Sequence, residues 1–559
     1  MKKVTSSLLA IILLFSASAC RDMLETDSNR IVFDDKYRLD DPDNPFYAIS
    51  GILSKLQQIG DRYVLLGELR GDLMQTTSLA PVSLQEINNF QVTANSEYAD
   101  KSDYYAIINN CNYVLQRLDT NQVVRDEKVI LRDYAEVKTI RAWTYFQLGQ
   151  IFGEAVYFNV PIIDIESSSA KYPVIKLDDL VEILIDDLKP YSGLPAIDIS
   201  RTPNPFISAN LLLGDLYLYQ NNYKEAAWRY YNEIVNSQLI ISGNYLNRWN
   251  TVSFEGHSLS HWYSYLSEAI AQIQFSSDPK EFHSQLVRFS FNNEPFIVPV
   301  KEYIDFMNSS VYIYAENYNS AVTGFREGDL RGHGSTKSGR FGDAFYLLDS
   351  RSDFLLEKEM YVIYKFYNTS NLVGTGSDPA NALLSEHDML AYLTTIPIYR
   401  NPHLYLRFAE AVNRDGKPTL AAAVLKYGLN SANINDTRKV NPAEIGEYNF
   451  QSGNFDANIP MAARGRGYGI AIDTIAFVIP EFPGSANPRQ DSILWVEDRI
   501  LEELSAETSF EGNRFFDLLR VSRRRDNHPE FMANKVAAKY DNPDAMKARL
   551  MNLDNWFLP

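Results

Sequence analysis

Residues 204–235, NPFISANLLLGDLYLYQNNYKEAAWRYYNEIV, read as two helices and the turn that joins them. Leu213-Gly214 and Tyr217 belong to the first helix, Ala226 and Tyr230 to the second. Asn221-Asn222 between them is turn chemistry, because asparagine tolerates left-handed backbone and bonds its own main chain. The small residues, Gly214 and Ala226, stand where two antiparallel helices must approach each other.

This spacing matches a tetratricopeptide unit. A second copy runs from Pro402 to about Ser431, with Ala409, Ala421 and Leu425 at the same relative positions. Asp415-Gly416 and Pro418 form its turn. Two copies this far apart do not make a continuous solenoid, so the expectation is helix pairs separated by a long insertion. Upstream, Tyr105, Ile108, Cys111, Asn112, Leu115 and Leu118 recur at helical spacing on one face. The next helix is predicted from about Asp126 to Phe152. Its stripe of Tyr134, Val137, Ile140, Thr144, Leu148 and Ile151 is widened by Ala142, Trp143, Tyr145, Phe146 and Phe152. Such a helix is buried on most of its circumference, and Gly153 stops it. From Asp491 a helix returns, with Ile493, Val496, Ile500, Leu501 and Leu504 on one face. The predicted fold is therefore mostly α. Tetratricopeptide-like pairs near 103–152, 204–236, 402–431 and 491–520 form a right-handed scaffold carrying one large irregular insertion.

That insertion, about 241–395, is rich in Asn, Ser, Gly and aromatics. Val311-Tyr312-Ile313-Tyr314 and Tyr361-Val362-Ile363-Tyr364 are its short alternating stretches. A second irregular stretch, about 436–490, carries Arg464-Gly465-Arg466-Gly467-Tyr468-Gly469. Aromatic residues make up 13% of the chain, a density that suits both helix packing and surfaces that bind sugars or peptides. Trp262, Tyr263 and Tyr265 form one cluster inside the insertion, and Tyr312, Tyr314 and Tyr318 another. A sugar presents C–H groups that pack on aromatic faces, while Asn, Asp and Arg bond its hydroxyls. Trp262, Tyr263, Tyr265, Tyr312 and Tyr314 are the candidate ligand contacts. Tyr98 and the aromatics around Phe90 stand behind them. The competing reading is that these rings are core packing for irregular loops.

The other sequence features narrow the class. Lys2 and Lys3, an apolar run from Leu8 to Phe15 and Ala17-Ser18-Ala19 before Cys20 read as a secretory signal over 1–19. Its apolar core is too short to span a membrane. The small-small-small-Cys ending resembles the lipobox of bacterial lipoproteins, which makes Cys20 a lipid anchor and 20–45 a tether to the body at 46–559. The one other cysteine is Cys111, so with Cys20 lipidated no intramolecular disulfide is available. A net charge of −18 argues against nucleic acid as a partner. His257 and His261 lack the glutamate of a zinc-protease helix. Gly332 to Ser338 lacks the glycine before lysine of a phosphate loop, and the acidic turn at 40–45 lacks the glycine and glutamate of a calcium loop. No catalytic motif, metal site or cofactor site is predicted.

Taken together, the chain resembles the SusD/RagB family of surface lipoproteins from Bacteroidetes over nearly its whole length. The resemblance rests on Cys20, on Asn109-Asn110-Cys111-Asn112-Tyr113-Val114-Leu115, and on Ile140 to Leu148 ending at Phe152-Gly153. It rests also on Tyr399-Arg400 with Leu404 to Ala411, and on Phe510-Glu511-Gly512-Asn513-Arg514-Phe515-Phe516-Asp517-Leu518-Leu519-Arg520 followed by Trp556-Phe557-Leu558-Pro559. One departure is Glu154 to Asn159, which intervene before Val160-Pro161-Ile162-Ile163. The charged residues Glu511, Arg514, Asp517 and Arg520 read as internal salt bridges at i,i+3 spacing rather than as a site. The resemblance implies a protein without bond chemistry, lipid-anchored at the outer membrane and facing the cell exterior. It would capture an oligosaccharide or polysaccharide and act as the lid of a SusC-like TonB-dependent transporter. RagB-like members of the same architecture capture peptides instead. A tetratricopeptide-type structural adaptor is the alternative from another class.

Overall fold

The computed structural model describes residues 45–559 apart from 125–126, 129, 196–205, 242–267, 276–281, 291–293, 315–323, 330, 333–345, 350–359, 364, 367–394 and 467–476. Helix α1 (Pro45–Glu68) is followed by α2 (Ser102–Arg117) and α3 (Leu131–Phe152). Of α3, all residues from Thr139 to Phe152 are buried, as its wide apolar stripe requires. Gly153, at φ 78°, closes it with a left-handed cap. The helix starts later than its sequence suggests, because Val123–Val124 and Glu127–Lys128 pair as a small hairpin.

Helices α4 (Leu177–Leu188), α5 (Ala209–Tyr219) and α6 (Tyr223–Asn236) come next. Ser208 caps α5 by accepting a hydrogen bond from the Leu211 N–H (3.0 Å). Asn221, at φ 64°, makes the turn into α6. The close approach sits where the small residues stand. A Cβ placed on Gly214 would lie 2.6 Å from Cε1 of Tyr230, a ring pinned by its hydroxyl on Asp215 (2.6 Å). Gly214→Leu should therefore destabilise by about 2 kcal/mol or more, since overpacking typically costs 1–3. An unchanged thermal midpoint would show that the Tyr230 ring can swing clear.

Helices α7 (Asn401–Arg414), α8 (Pro418–Lys426), α9 (Pro488–Glu507) and α10 (Arg514–Arg523) complete the scaffold. Contacts run α2 to α3 to α4 to α5 to α6, and α6 then packs directly on α7, although 237–400 lie between them in the chain. From α7 the stack continues to α8 and α9. The expectation of separated helix pairs is corrected in this respect: the stack is continuous in space and broken only in sequence. Helix α4, absent from the sequence reading, provides part of that continuity. Its buried Leu177, Leu180, Val181, Leu184, Ile185 and Leu188 have ordinary amphipathic spacing. Helix α1 crosses the stack and touches α2, α3 and α10. Among the described residues no helix is long and apolar enough to cross a membrane.

One buried acid in this scaffold sets a pH dependence. Glu136 on α3 is 3% exposed and accepts the Phe206 N–H (2.7 Å). Burial, helped by Asp133 and opposed by that hydrogen bond, pushes its carboxyl up to about 8. The folded state thus holds a proton that the unfolded chain releases above about 4.5. Its stabilising effect is complete below that value and is lost as pH rises through 8, with a slope of about 1.4 kcal/mol per pH unit. Glu136→Gln keeps an acceptor and removes the titration. Thermal melts from pH 5 to 8 should fall less steeply for the variant, and parallel curves would show that Glu136 is ionised in the fold.

Candidate functional site

The irregular region leaves and rejoins the scaffold through a single ladder. Strands β2 (Ala269–Gln274) and β8 (Thr395–Arg400) pair antiparallel, with Thr395 opposite Gln274 and Arg400 opposite Ala269. Between them the described chain forms β3 (Ile297–Pro299), β4 (Val311–Tyr314), β5 (Gly324–Glu327), β6 (Tyr346–Asp349) and β7 (Met360–Ile363). Strand β3 pairs with β1 (Met74–Thr76), just beyond α1. Asp61 of α1 accepts both the Ser284 hydroxyl (2.5 Å) and the Gln285 N–H (2.7 Å). Burial raises that carboxyl to about 6. Gln57 of α1 donates to the Gln274 carbonyl (2.6 Å). The irregular region is therefore seated on α1.

A buried charge cluster anchors it from the other side. Glu507, at the end of α9 and 0% exposed, accepts from Arg331 (3.2 Å), Arg400 (3.1 Å) and Arg464 (3.0 and 2.9 Å). Burial alone would raise this carboxyl; the three guanidinium groups override it and hold it well below the usual carboxylate range. Arg400 also grips Glu511 in a two-point contact (3.1 and 2.7 Å), and Lys365 meets the same carboxylate at 2.5 Å. Arg464 does likewise with Glu268 (2.8 and 3.0 Å), and Arg331 with Asp329 (2.9 and 2.8 Å). Glu268 precedes β2 and Arg400 ends β8, while Asp329, Arg331 and Lys365 come from the chain between these strands. Glu503 and Glu507 come from α9, Glu511 from the segment after it, and Arg464 from the second irregular stretch. The cluster closes the insertion onto the scaffold with paired, water-excluded charges and offers no surface for a ligand.

A second charge cluster ties α7, α9 and α10 together. Arg407 reaches Asp517 (2.6 Å), Arg520 grips Glu410 (2.9 and 2.8 Å), and Glu497 holds Arg414, Arg524 and Arg525. The reading of the C-terminal signature as internal salt bridges stands, with a change of partners. Asp517 and Arg520 do pair at i,i+3 (3.0 Å). Arg514 instead goes to Asp72 (2.5 and 2.8 Å), and Glu511 to Arg400 and Lys365. Glu68 of α1 accepts the N–H groups of Gly512 (2.8 Å) and Asn513 (3.1 Å), capping α10 from a distant part of the chain. Burial brings the Glu68 carboxyl up to about 7.

Cys20, Trp262, Tyr263 and Tyr265 lie outside the described residues, as do His257 and His261. Tyr312 and Tyr314 stand two apart on β4, opposite Arg326 and Gly324 of β5. Tyr98 is 8% exposed and belongs to the core. Its ring offers no stacking face, and Phe90 packs on Phe515. Phe282 was not singled out in the sequence. It is 39% exposed and stacks on Phe275 with centroids 6.3 Å apart. Neighbouring sequence gave no sign of it, since a lone phenylalanine in an irregular stretch has no periodicity to read.

No family model matches the chain. A stretch of 179 residues is 24% identical to a SusD-like protein of Formosa agariphila, covering 29% of this chain and 32% of that relative. The match thus spans about a third of the relative's length. Among solved structures, a laminarin-binding SusD-like protein superposes with a TM-score of 0.54 at 16% identity, over 92% of this chain and 95% of that one. A SusD superfamily protein from Bacteroides vulgatus gives 0.55 at 15% identity, over 91% and 92% of the two chains. One from Bacteroides thetaiotaomicron gives 0.55 at 17% identity, over 91% and 95%. At these identities the likeness is one of fold, and it runs through scaffold and insertion together. What the chain shares with these proteins is the SusD-like fold.

Proposed function

We propose that this protein captures an oligosaccharide or polysaccharide and delivers it to a SusC-like TonB-dependent transporter, over which it acts as a lid. The observation that carries this reading is the likeness of fold to a laminarin-binding SusD-like protein over 92% of the chain. The body, 46–559, is held at the outer membrane by lipid on Cys20, facing outward. The insertion presents the ligand surface, and α1 with the buried charge cluster keeps its base rigid. Such rigidity lowers the ordering cost of binding. Trp262, Tyr263, Tyr265, Tyr312 and Tyr314 remain the proposed stacking residues, and the exposed Phe282 joins them.

Calorimetric titration of the soluble body with laminarin and a panel of other polysaccharides tests this. Saturable binding to at least one glycan is expected. Trp262→Ala or Tyr312→Ala should weaken it about five- to hundred-fold without loss of fold, by analogy with base stacking on aromatics. A chain that ignores every glycan and binds oligopeptides would replace this reading with the peptide-capturing one.

A further inference from the structure

We infer that the hollow between the C-terminal tail and residues 87–92 is a second binding site, one for a small organic carboxylate with an apolar or ring-shaped body. The cavity measures about 550 Å³, within the range that takes a small ligand. Phe90, Phe152 and Phe557 supply apolar wall, and Arg70 and Arg549 supply charge.

Arg70 is the telling residue. It is 1% exposed, and its Nε and Nη1 donate to the carbonyls of Leu66 (2.8 Å) and Trp556 (3.0 Å). Its guanidinium lies over the Phe515 ring at 3.9 Å, and its Nη2 has no hydrogen-bond partner. Among the described residues no carboxylate lies within ion-pair distance of it. The contrast is with Arg331, Arg400, Arg464 and Arg520, which are equally buried and each bonded to carboxylates. A buried guanidinium without counter-charge is costly, and an orphaned donor adds to the cost. The two carbonyls and the Phe515 ring offset part of this cost, and a bound carboxylate would offset more.

The surroundings agree. Arg549 commits Nε (3.1 Å) and Nη2 (2.6 Å) to the Phe90 carbonyl, leaving Nη1 for a ligand. Phe90 itself is held at φ 54°, a strained position for a side chain of its size. The Lys101 ammonium lies over the Phe152 ring (4.4 Å). Asp554 is the one acidic side chain in the described wall. The described wall thus holds two cationic side chains, Arg70 and Arg549, with Asp554 and the carboxyl end of Pro559.

A carboxylate of this kind comes from a uronic acid or from the end of a peptide. Titrations of the soluble body with D-glucuronate and with N-acetyl-L-phenylalanine separate these sources. D-Glucose and N-acetyl-L-phenylalaninamide are the neutral controls. One acid should bind at least about ten-fold more tightly than its neutral counterpart, as charge-assisted hydrogen bonds to arginine imply. Arg549→Gln should weaken that acid by a similar factor while the protein stays folded and any laminarin binding is unchanged. Arg70→Met should abolish it; if that variant does not fold, Arg549→Gln decides alone. Equal affinity for acid and neutral probe, an acid indifferent to Arg549→Gln, or no saturable binding of either acid by the folded protein overturns the proposal. A failure of glycan binding in the insertion would leave it standing.

Discussion

Glu507→Ala is expected to cost about 3–5 kcal/mol or more, the range for breaking a buried ion pair by removing one partner. That is a large share of the 5–15 kcal/mol that keeps a typical domain folded. The carboxylate is the shared acceptor of Arg331, Arg400 and Arg464, all three 0% exposed. Deleting it leaves three guanidinium groups crowded together with less counter-charge and no water. Glu268, Asp329, Glu503 and Glu511 remain to compensate in part, so the loss should stay below the sum of three separate pairs. Glu507→Gln preserves shape and some acceptor capacity, and should fall between parent and alanine variant. Because Arg331 and Arg400 come from the insertion and its border, and Arg464 from the second irregular stretch, the damage should centre on these irregular regions. Hydrogen exchange in β2 and β8 should accelerate before that in α2 or α3. Thermal and urea melts measure the total. An alanine variant as stable as the parent would mean that the cluster is wet or rearranged, and that the insertion is held by other contacts.

The helical half of this architecture was legible because its signals are local. Gly214 against Tyr230, Gly153 at a helix end and the stripe on α3 each follow from residues within a few turns of one another. The i,i+3 pair Asp517–Arg520 was legible for the same reason. Arg400 and Glu511, or Arg514 and Asp72, are far apart in the chain, and no spacing rule connects them. A hint did exist: Glu503 and Glu507 stand four apart beside the apolar Ile500 and Leu504, so acids share the buried side of α9. Acids placed there require cations from elsewhere. Helix α4 had a clear amphipathic pattern and was passed over. The candidate ligand residues were legible only as a composition. Aromatic rings in irregular chain go to core or surface according to tertiary packing, and Tyr98 went to the core while Phe282 did not.

Gly67→Ala is the second large effect expected, and it tests the joint between α1 and the C-terminal signature. A Cβ built on Gly67 falls 1.8 Å from the Gly512 carbonyl oxygen and 2.4 Å from its carbon. The obstacle is main chain, so no side-chain rotation relieves it. Gly512 has little freedom to adjust, since it sits at φ 91° and even a Cβ built on it would lie 2.8 Å from Tyr63. Separating the two backbones would stretch the bonds that Glu68 accepts from Gly512 (2.8 Å) and Asn513 (3.1 Å). Above pH 7, where Glu68 is ionised, such bonds to a charged group are each worth about 1.5–3 kcal/mol. Alanine's better helix propensity returns only about 1 kcal/mol, so the net loss should be about 3 kcal/mol or more. Gly51, in the same helix, is the internal control. Its added Cβ meets nothing within 4 Å, and Gly51→Ala should be neutral or stabilising by up to about 1 kcal/mol. Thermal melts of the two variants side by side give opposite signs if α1 and the signature turn touch through bare backbone. If Gly67→Ala proves as harmless as Gly51→Ala, that contact does not exist, and the capping of α10 by Glu68 falls with it.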